Sequence, residues 1–165
     1  MGFSPKERMR TLRFLTLMLA ALSMGMAFSH LLEMPAKLAY QGPVWLMLQQ
    51  TLYGNFRILG LLLETGAVAC ALALTLFVRG PAFGYTVFAA ICLVAAHAAW
   101  WAGAAPVNAA MAQLTPQTLP PDWGVLRAQW EYTHAARAVL QIAALAALVL
   151  SLLAEIQARA RAFFS

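Results

Sequence analysis

Titratable residues recur at helical spacing in a chain that is otherwise strongly apolar. In the stretch SHLLEMPAK, residues 29–37, His30 and Glu33 are three residues apart and therefore share one helix face. Arg57 and Glu64 are seven residues apart, which again puts both on one face. Acids, bases and cations paired in this way are what proton transfer and the stabilisation of an oxyanion require.

A further set of polar and aromatic residues flanks the last loop of the chain. In chain order the set is His97, Trp100, Trp101, Asn108, Trp130, His134 and Arg137. Its last three members follow each other at spacings of four and three residues, so they form a stripe on one helix. The set adds histidine bases, a guanidinium group and aromatic rings that can stack on a ligand.

These residue types predict individual roles. Histidine has an unperturbed pKa of about 6.5, so His134 or His97 is expected to act as a general base. Arg137 or Arg57 would stabilise the oxyanion that forms, and Glu64 would balance their charge. The candidate catalytic residues are therefore His134, His97, Arg137, Arg57 and Glu64. The candidate binding residues are His30, Glu33, Asn108, Trp100, Trp101 and Trp130.

The same residues also have structural interpretations. His30 and His134 could satisfy backbone groups of the loops, and the tryptophans could anchor helices at the membrane interface. Arg57 and Glu64 could form a salt bridge between helices that has no function, because charged residues inside a membrane are usually paired. Gln141 is expected to make a hydrogen bond between helices.

The composition indicates which elements position these residues. Of the 165 residues, 62% are hydrophobic and 10% are charged, far from the balance of a soluble protein. Four apolar runs, at about 12–32, 54–78, 84–104 and 131–156, are each long enough to cross a bilayer as a helix. We predict an all-α integral membrane protein, an antiparallel four-helix bundle in one domain of residues 1–165. Helix four is expected to start near residue 122.

The positive net charge of +5 indicates orientation in a membrane rather than nucleic-acid binding. One side of the predicted bundle carries Lys6, Arg8, Arg10, Arg13, Arg79, Arg159 and Arg161. The loops of the other side carry only Lys37 and Arg127. Since cytoplasmic segments are enriched in basic residues, both termini are predicted to be cytoplasmic. The expected partner is the lipid bilayer, and nucleic acid is excluded.

Counting along the predicted helices brings the polar residues to one level. At about 1.5 Å per residue, most of them fall near the outer interface and Glu64 lies deeper. The residues near the interface are His30, Arg57, His97, His134 and Arg137. A buried carboxylate needs a partner, so Glu64 is predicted to contact Arg57 or Arg137, and Glu33 balances the other arginine. The sequence thus predicts an outward-facing polar pocket that binds a lipophilic small molecule.

Two short motifs after helix three resemble a known family. They are Pro106-Val107-Asn108 and Trp130-x-x-x-His134-x-x-Arg137. The chain resembles the small four-helix membrane proteins grouped with fungal anthrone oxygenases, whose bacterial members are mostly of unknown function. The resemblance implies an oxidoreductase of the bacterial inner membrane that oxygenates a lipophilic aromatic or quinone-like molecule. A cofactor-free reaction is compatible with these residues.

Two other interpretations stay open. Haem could bind between two axial histidines, with Arg57 and Arg137 meeting its propionates. No metal site is predicted, because two arginines neutralise the carboxylates that a dimetal centre would need. The protein could instead be a non-enzymatic subunit of a membrane complex or a homo-oligomer, since small residues on helix four permit close helix packing. These small residues are Ala143, Ala144, Ala146 and Ala147.

Overall fold

The computed structural model describes residues 4–164, with the side chains of residues 55 and 164 left aside, and it is helical throughout its regular elements. The elements are α1 (Pro5–Ala39), α2 (Gly42–Phe77), α3 (Pro81–Ala99), α4 (Ala105–Met111) and α5 (Trp123–Phe164). A π-helical turn, Trp100–Ala104, joins α3 directly to α4.

Within residues 4–164, four helical segments are long and apolar enough to cross a membrane. They are Pro5–Ala39, Phe56–Phe77, Pro81–Met111 and Trp123–Phe163. Large apolar side chains such as Leu62, Leu76 and Val139 are more than half exposed, as expected of helices that face lipid. The chain is therefore an all-helical, multi-pass membrane protein, which confirms the predicted fold class at this level.

The first two helices are longer than the sequence predicted. α1 was expected to break before Pro35, yet it continues through that proline to Ala39. A proline inside a membrane bundle is tolerated where neighbouring helices support the freed backbone groups. α2 begins at Gly42 rather than near residue 54, because Pro43 occupies the first turn, where its fixed φ angle favours a helix. Only Tyr40 and Gln41 connect α1 to α2.

Trp45, near the start of α2, is enclosed by the bundle rather than exposed on its surface. Its side chain is 0% exposed and packs with Leu46, Val107 and Trp130 in an apolar cluster. This cluster lies at what we term the loop end of the bundle, formed by residues 40–41, α4 and residues 112–122. A tryptophan packed there fixes the start of α2 against α4 and α5.

A second apolar cluster fills the rest of the bundle and is built mainly of alanines. α5 packs against α1 and α3, and α2 packs against the same two helices. Ala67, Ala89 and Ala144 are fully buried at these contacts, where small side chains let the helix backbones approach closely. Ala144 and Ala147, two of the small residues expected to pack against a partner helix, therefore pack against other helices of this bundle. This corrects the expectation that they offer a face to a partner.

Candidate functional site

A cavity of about 500 Å³ lies at the loop end of the bundle, among α1, α2, α4 and α5. Its apolar wall includes Met26, Phe56, Leu61, Trp100, Met111 and Trp130. Its polar lining residues are Ser23, His30, Gln49, Gln50, Tyr53, Arg57, Glu64, Asn108, His134 and Arg137. The volume is that of a typical small-molecule site, in which a few polar groups stand out from an apolar wall.

The deep end of the cavity is closed by a network around Glu64, which is 1% exposed. Arg137 Nη2 donates to Glu64 Oε2 at 2.7 Å, and Gln141 Nε2 donates to Glu64 Oε1 at 2.9 Å. Ser23 Oγ in turn donates to Gln141 Oε1 at 3.0 Å. The predicted contact between Glu64 and Arg137 is confirmed, as is the hydrogen bond of Gln141 between helices. Both carboxylate oxygens are thereby satisfied in an apolar environment.

Arg57 is not paired as the sequence predicted. Its side chain is exposed at the rim of the cavity and makes no ion pair within residues 4–164. Glu33, which was expected to balance an arginine, instead accepts a hydrogen bond from Tyr53 Oη and lies 3.7 Å from Lys37 Nζ. The reason is the extra turn of α1 beyond Pro35, because it brings Lys37 one turn after Glu33. The cavity therefore has one unpaired cation at its mouth.

His134 is held in a defined orientation by Trp130. Their rings stack with centroids 3.9 Å apart, and His134 Nδ1 lies 2.9 Å from the backbone oxygen of Trp130. A carbonyl oxygen can only accept, so Nδ1 carries the proton and, in the neutral ring, Nε2 has the lone pair. Trp130 Nε1 donates to Asn108 Oδ1 at 2.9 Å, which fixes the indole. Nε2 of His134 is therefore the nitrogen that can accept a proton.

His30 lies in an aromatic box beside His134. Its ring centroid is 4.6 Å from that of His134, 4.9 Å from Tyr53 and 5.1 Å from Trp130. Within the described part of the chain, its buried Nδ1 has no hydrogen-bond partner, and Glu33 Oε2 is 3.9 Å away. The structure thus brings together His30, His134, Asn108 and Trp130, which the sequence proposed as site residues.

His97 and Trp101 lie outside the cavity lining. Trp101 Nε1 donates to His97 Nε2 at 3.1 Å, so this nitrogen is an acceptor and the proton of the neutral ring is on Nδ1. His97 Nδ1 is 3.7 Å from Glu64 Oε2, behind the carboxylate that lines the cavity. Trp101 itself is 57% exposed on the outer surface of the bundle. His97, which the sequence offered as a base, is therefore not among the residues that line the cavity.

The π-helical turn places Trp100 and Asn108 at the cavity. A Cβ atom built on Gly103 would lie 2.3 Å from Thr133 Oγ1, so the backbone of the turn touches α5 directly. Gln129 Nε2 also donates to the carbonyl oxygen of Gly103 at 3.0 Å. π-helical turns inside α-helices are frequent at functional sites because they shift the side chains that follow. Here the turn moves α4 over the mouth of the cavity.

A buried ion pair beside the site was missed by the sequence analysis. Lys37 Nζ lies 3.1 Å from Glu131 Oε2, and both residues are at most 2% exposed. Trp45 Nε1 donates to the other carboxylate oxygen at 3.2 Å, and Lys37 Nζ lies 4.7 Å from the Trp130 ring centroid. If α1 had been predicted to continue past Pro35, the helical spacing of His30, Glu33 and Lys37 would have placed Lys37 beside the site. Tyr53 and Gln49 were missed because they were assigned to a loop or its border.

The rings of His30 and His134 are in contact, so axial haem ligation by this pair would require the rings to separate. Among residues 4–164, no three His, Cys, Asp or Glu side chains converge as metal ligands.

The fold and the site together define a multi-pass helical membrane protein with a cavity between its helices. No known protein family, curated protein or solved structure matches this chain.

Proposed function

We propose that this protein is an integral membrane oxidoreductase of the anthrone-oxygenase type. Its substrate is a lipophilic aromatic ketone or quinone-like molecule that occupies the cavity at the loop end. The observation that carries this proposal is the position of His134, which lines the same cavity as Arg57 and Arg137. A base and two guanidinium groups in one cavity suit the formation of an oxyanion.

The reaction would begin with proton transfer to His134. The proton on the substrate's ring carbon opposite the carbonyl group transfers to Nε2 of His134. The electron pair of the broken C–H bond is delocalised onto the carbonyl oxygen. Arg57 or Arg137 donates hydrogen bonds to this oxyanion, and the surrounding low-dielectric wall strengthens the interaction. Trp100 provides an aromatic surface on which a fused ring can stack.

Dioxygen then oxidises the anion without any further reductant. A C–O bond forms at the deprotonated carbon, and the peroxide takes back the proton held by His134. Loss of water breaks the O–O bond and the remaining C–H bond at that carbon, which leaves a second carbonyl group. One anthrone and one dioxygen thus give one quinone and one water. The protein supplies the base, the oxyanion partner and a shielded cavity.

The proposal is tested by incubating purified protein in detergent with anthrone under air. We expect oxygen uptake and quinone absorbance well above the rate in buffer, and a loss of about 10²-fold or more in His134→Ala. Tyr132→Ala is the matched control, since this neighbour on α5 is 61% exposed on the outer surface. No rate above buffer, or a full rate in His134→Ala, would refute the proposal.

The membrane arrangement is part of the same proposal. We infer an antiparallel bundle with both termini in the cytoplasm and the cavity facing the outer side of a bacterial inner membrane. Two contacts between α1 and α5 support the antiparallel order, because Arg13 pairs with Glu155 and Lys37 pairs with Glu131. The excess of basic residues near the termini supports the orientation.

A further inference from the structure

One wall of the cavity is open sideways, between α2 and α4. Gln50, Phe56 and Arg57 of α2 and Ala112 after α4 line the cavity and are also exposed on the outside of the bundle. A Cβ atom on Gly54, which lies among them, would meet nothing within 4 Å. We call this gap the side opening, defined by Gly54, Phe56, Arg57 and Ala112. Gln50 bounds it on one side, because Gln50 Nε2 donates to the carbonyl oxygens of Met111 and Leu114 at 2.8 and 2.9 Å.

The side opening lies at the level where a bilayer changes from headgroups to hydrocarbon. The apolar span of α2 begins at Phe56, so Arg57 is at its edge and Gln50 is beyond it. An arginine at this depth can extend its guanidinium toward the headgroup region. Lipids and dissolved amphiphiles carry their polar groups at the same level, so the opening faces them directly.

The charge of the cavity favours an anion. Arg57 and Arg137 contribute two positive charges and Glu64 one negative charge, and Glu64 is already paired with Arg137. Arg57 has no ion pair within residues 4–164. A ligand with one negative charge would complete the balance, whereas a neutral ligand would leave the guanidinium without a partner.

Two buried hydrogen-bond donors in the lining also lack acceptors. Gln49 Nε2 and Arg137 Nε have no partner in the described part of the chain, although these residues are only 6% and 8% exposed. Buried donors of this kind normally have a partner, because leaving them unpaired is costly. Acceptor oxygens on a ligand, in addition to its anionic group, would satisfy them.

We propose that the cavity takes up an anionic amphiphile from the bilayer through the side opening, with Arg57 as the residue that selects its charge. The ligand class is an apolar body with a single anionic oxygen group, such as a carboxylate or a phenolate. The anionic group meets Arg57 at the mouth, and the apolar body lies along Met26, Phe56 and Leu61. This inference concerns the same cavity as the proposed function but does not depend on any oxidation step.

The charge selection is tested with spin-labelled stearic acid and its methyl ester, added to the protein in phosphatidylcholine nanodiscs. Trp100 and Trp130 line the cavity, so a bound nitroxide quenches their fluorescence in a saturable way. We expect the acid to saturate at about tenfold lower concentration than the ester. Arg57→Gln should abolish this difference, whereas Arg161→Gln, the same change on an exposed residue far along α5, should keep it. Equal quenching by acid and ester in the native protein would overturn the proposal.

The route is tested by filling the side opening. Gly54→Leu places a side chain in the gap, and Gly84→Leu is the control, because a Cβ there also meets nothing within 4 Å but lies at the other end of the bundle. We expect Gly54→Leu to slow or abolish saturable quenching and Gly84→Leu to leave it unchanged. Identical behaviour of the two variants would exclude this route.

Selective binding of the acid without anthrone turnover would refute the proposed oxidation alone, and turnover without acid selectivity would refute this inference alone.

Discussion

Some residues at the loop end stabilise the bundle, and others line the cavity. Arg137 does both, since it lines the cavity and pairs with the buried Glu64 at 2.7 Å. Arg57 lines the same cavity but is exposed and makes no ion pair among the described residues. The two arginines should therefore differ sharply in how much they contribute to stability.

We predict that Arg137→Met lowers the free energy of unfolding by about 3 kcal/mol or more, because it leaves the Glu64 carboxylate buried without its cation. Unfolding in mixed micelles of denaturing and mild detergent measures this quantity. Arg57→Met is the matched control and should change it by less than about 0.5 kcal/mol.

A double variant distinguishes the loss of the Glu64–Arg137 ion pair from the loss of side-chain packing. In Glu64→Leu/Arg137→Met neither charge remains, so most of the lost stability should return, since apolar residues can replace a buried pair at little cost. Equal destabilisation by Arg57→Met and Arg137→Met would show that the pair does not stabilise the bundle.

The sequence predicted the partner of Glu64 deep in this site and missed the partner of Lys37 farther out, for physical reasons. Glu64 lies where an unpaired charge is costly, so the need for a partner could be deduced from depth alone. Lys37 was assigned to an outer loop because Pro35 was taken as a helix end, and Glu131 was not singled out. The Lys37–Glu131 pair depends on where α1 ends, which the residue pattern does not specify.

At the scale of elements, the cavity depends on how α3 passes into α4. The π-helical turn brings Gly103 against Thr133 of α5 so closely that an added Cβ would overlap the threonine side chain. The sequence indicated an apolar run here but could not indicate the turn, since π-helical geometry has no clear residue signature. The start of α2 could have been recognised, because Pro43 after Gly42 is a favourable first helical turn.

We predict that Gly103→Ala destabilises the protein by about 1–3 kcal/mol, because the new methyl group overpacks the contact with α5. Gly84→Ala is the control and should be neutral or stabilising by up to about 1 kcal/mol, since alanine is the better helix former and a Cβ there meets nothing within 4 Å. The same detergent unfolding assay measures both variants.

The Gly103 contact can be tested further by removing its partner. Thr133→Ala deletes Oγ1 and Cγ2, the two atoms that approach the added Cβ most closely, at 2.3 and 2.9 Å. The double variant Gly103→Ala/Thr133→Ala should therefore recover much of the loss, giving a coupling energy of about 1 kcal/mol. Strict additivity of the two substitutions would mean that the π-helical turn does not approach α5 tightly.

At the scale of the whole molecule, most of the basic residues lie at the end of the bundle that holds the termini. Near the termini lie Lys6, Arg8, Arg10, Arg13, Arg79, Arg159 and Arg161. At the loop end, Lys37 is buried beside Glu131, and Arg127 donates to the carbonyl oxygen of Tyr40 while its guanidinium lies over the Trp123 ring at 4.5 Å. Lys37 and Arg127 therefore both have partners at the loop end, and the excess of basic residues lies at the end of the termini.

This asymmetry predicts that the loop end faces away from the cytoplasm. In a background without Cys70 and Cys92, single cysteines are introduced as Gln117→Cys in the loop before α5 and Ala160→Cys near the end of α5, both exposed positions. A membrane-impermeant maleimide should label Gln117→Cys in intact cells and Ala160→Cys only after permeabilisation, since basic residues keep their side of the membrane cytoplasmic. Because neither substitution removes a charge, the topology itself is not disturbed. Labelling in the opposite order would show that the bundle has the inverted orientation. The cavity and its side opening would then face the cytoplasmic leaflet and its amphiphiles.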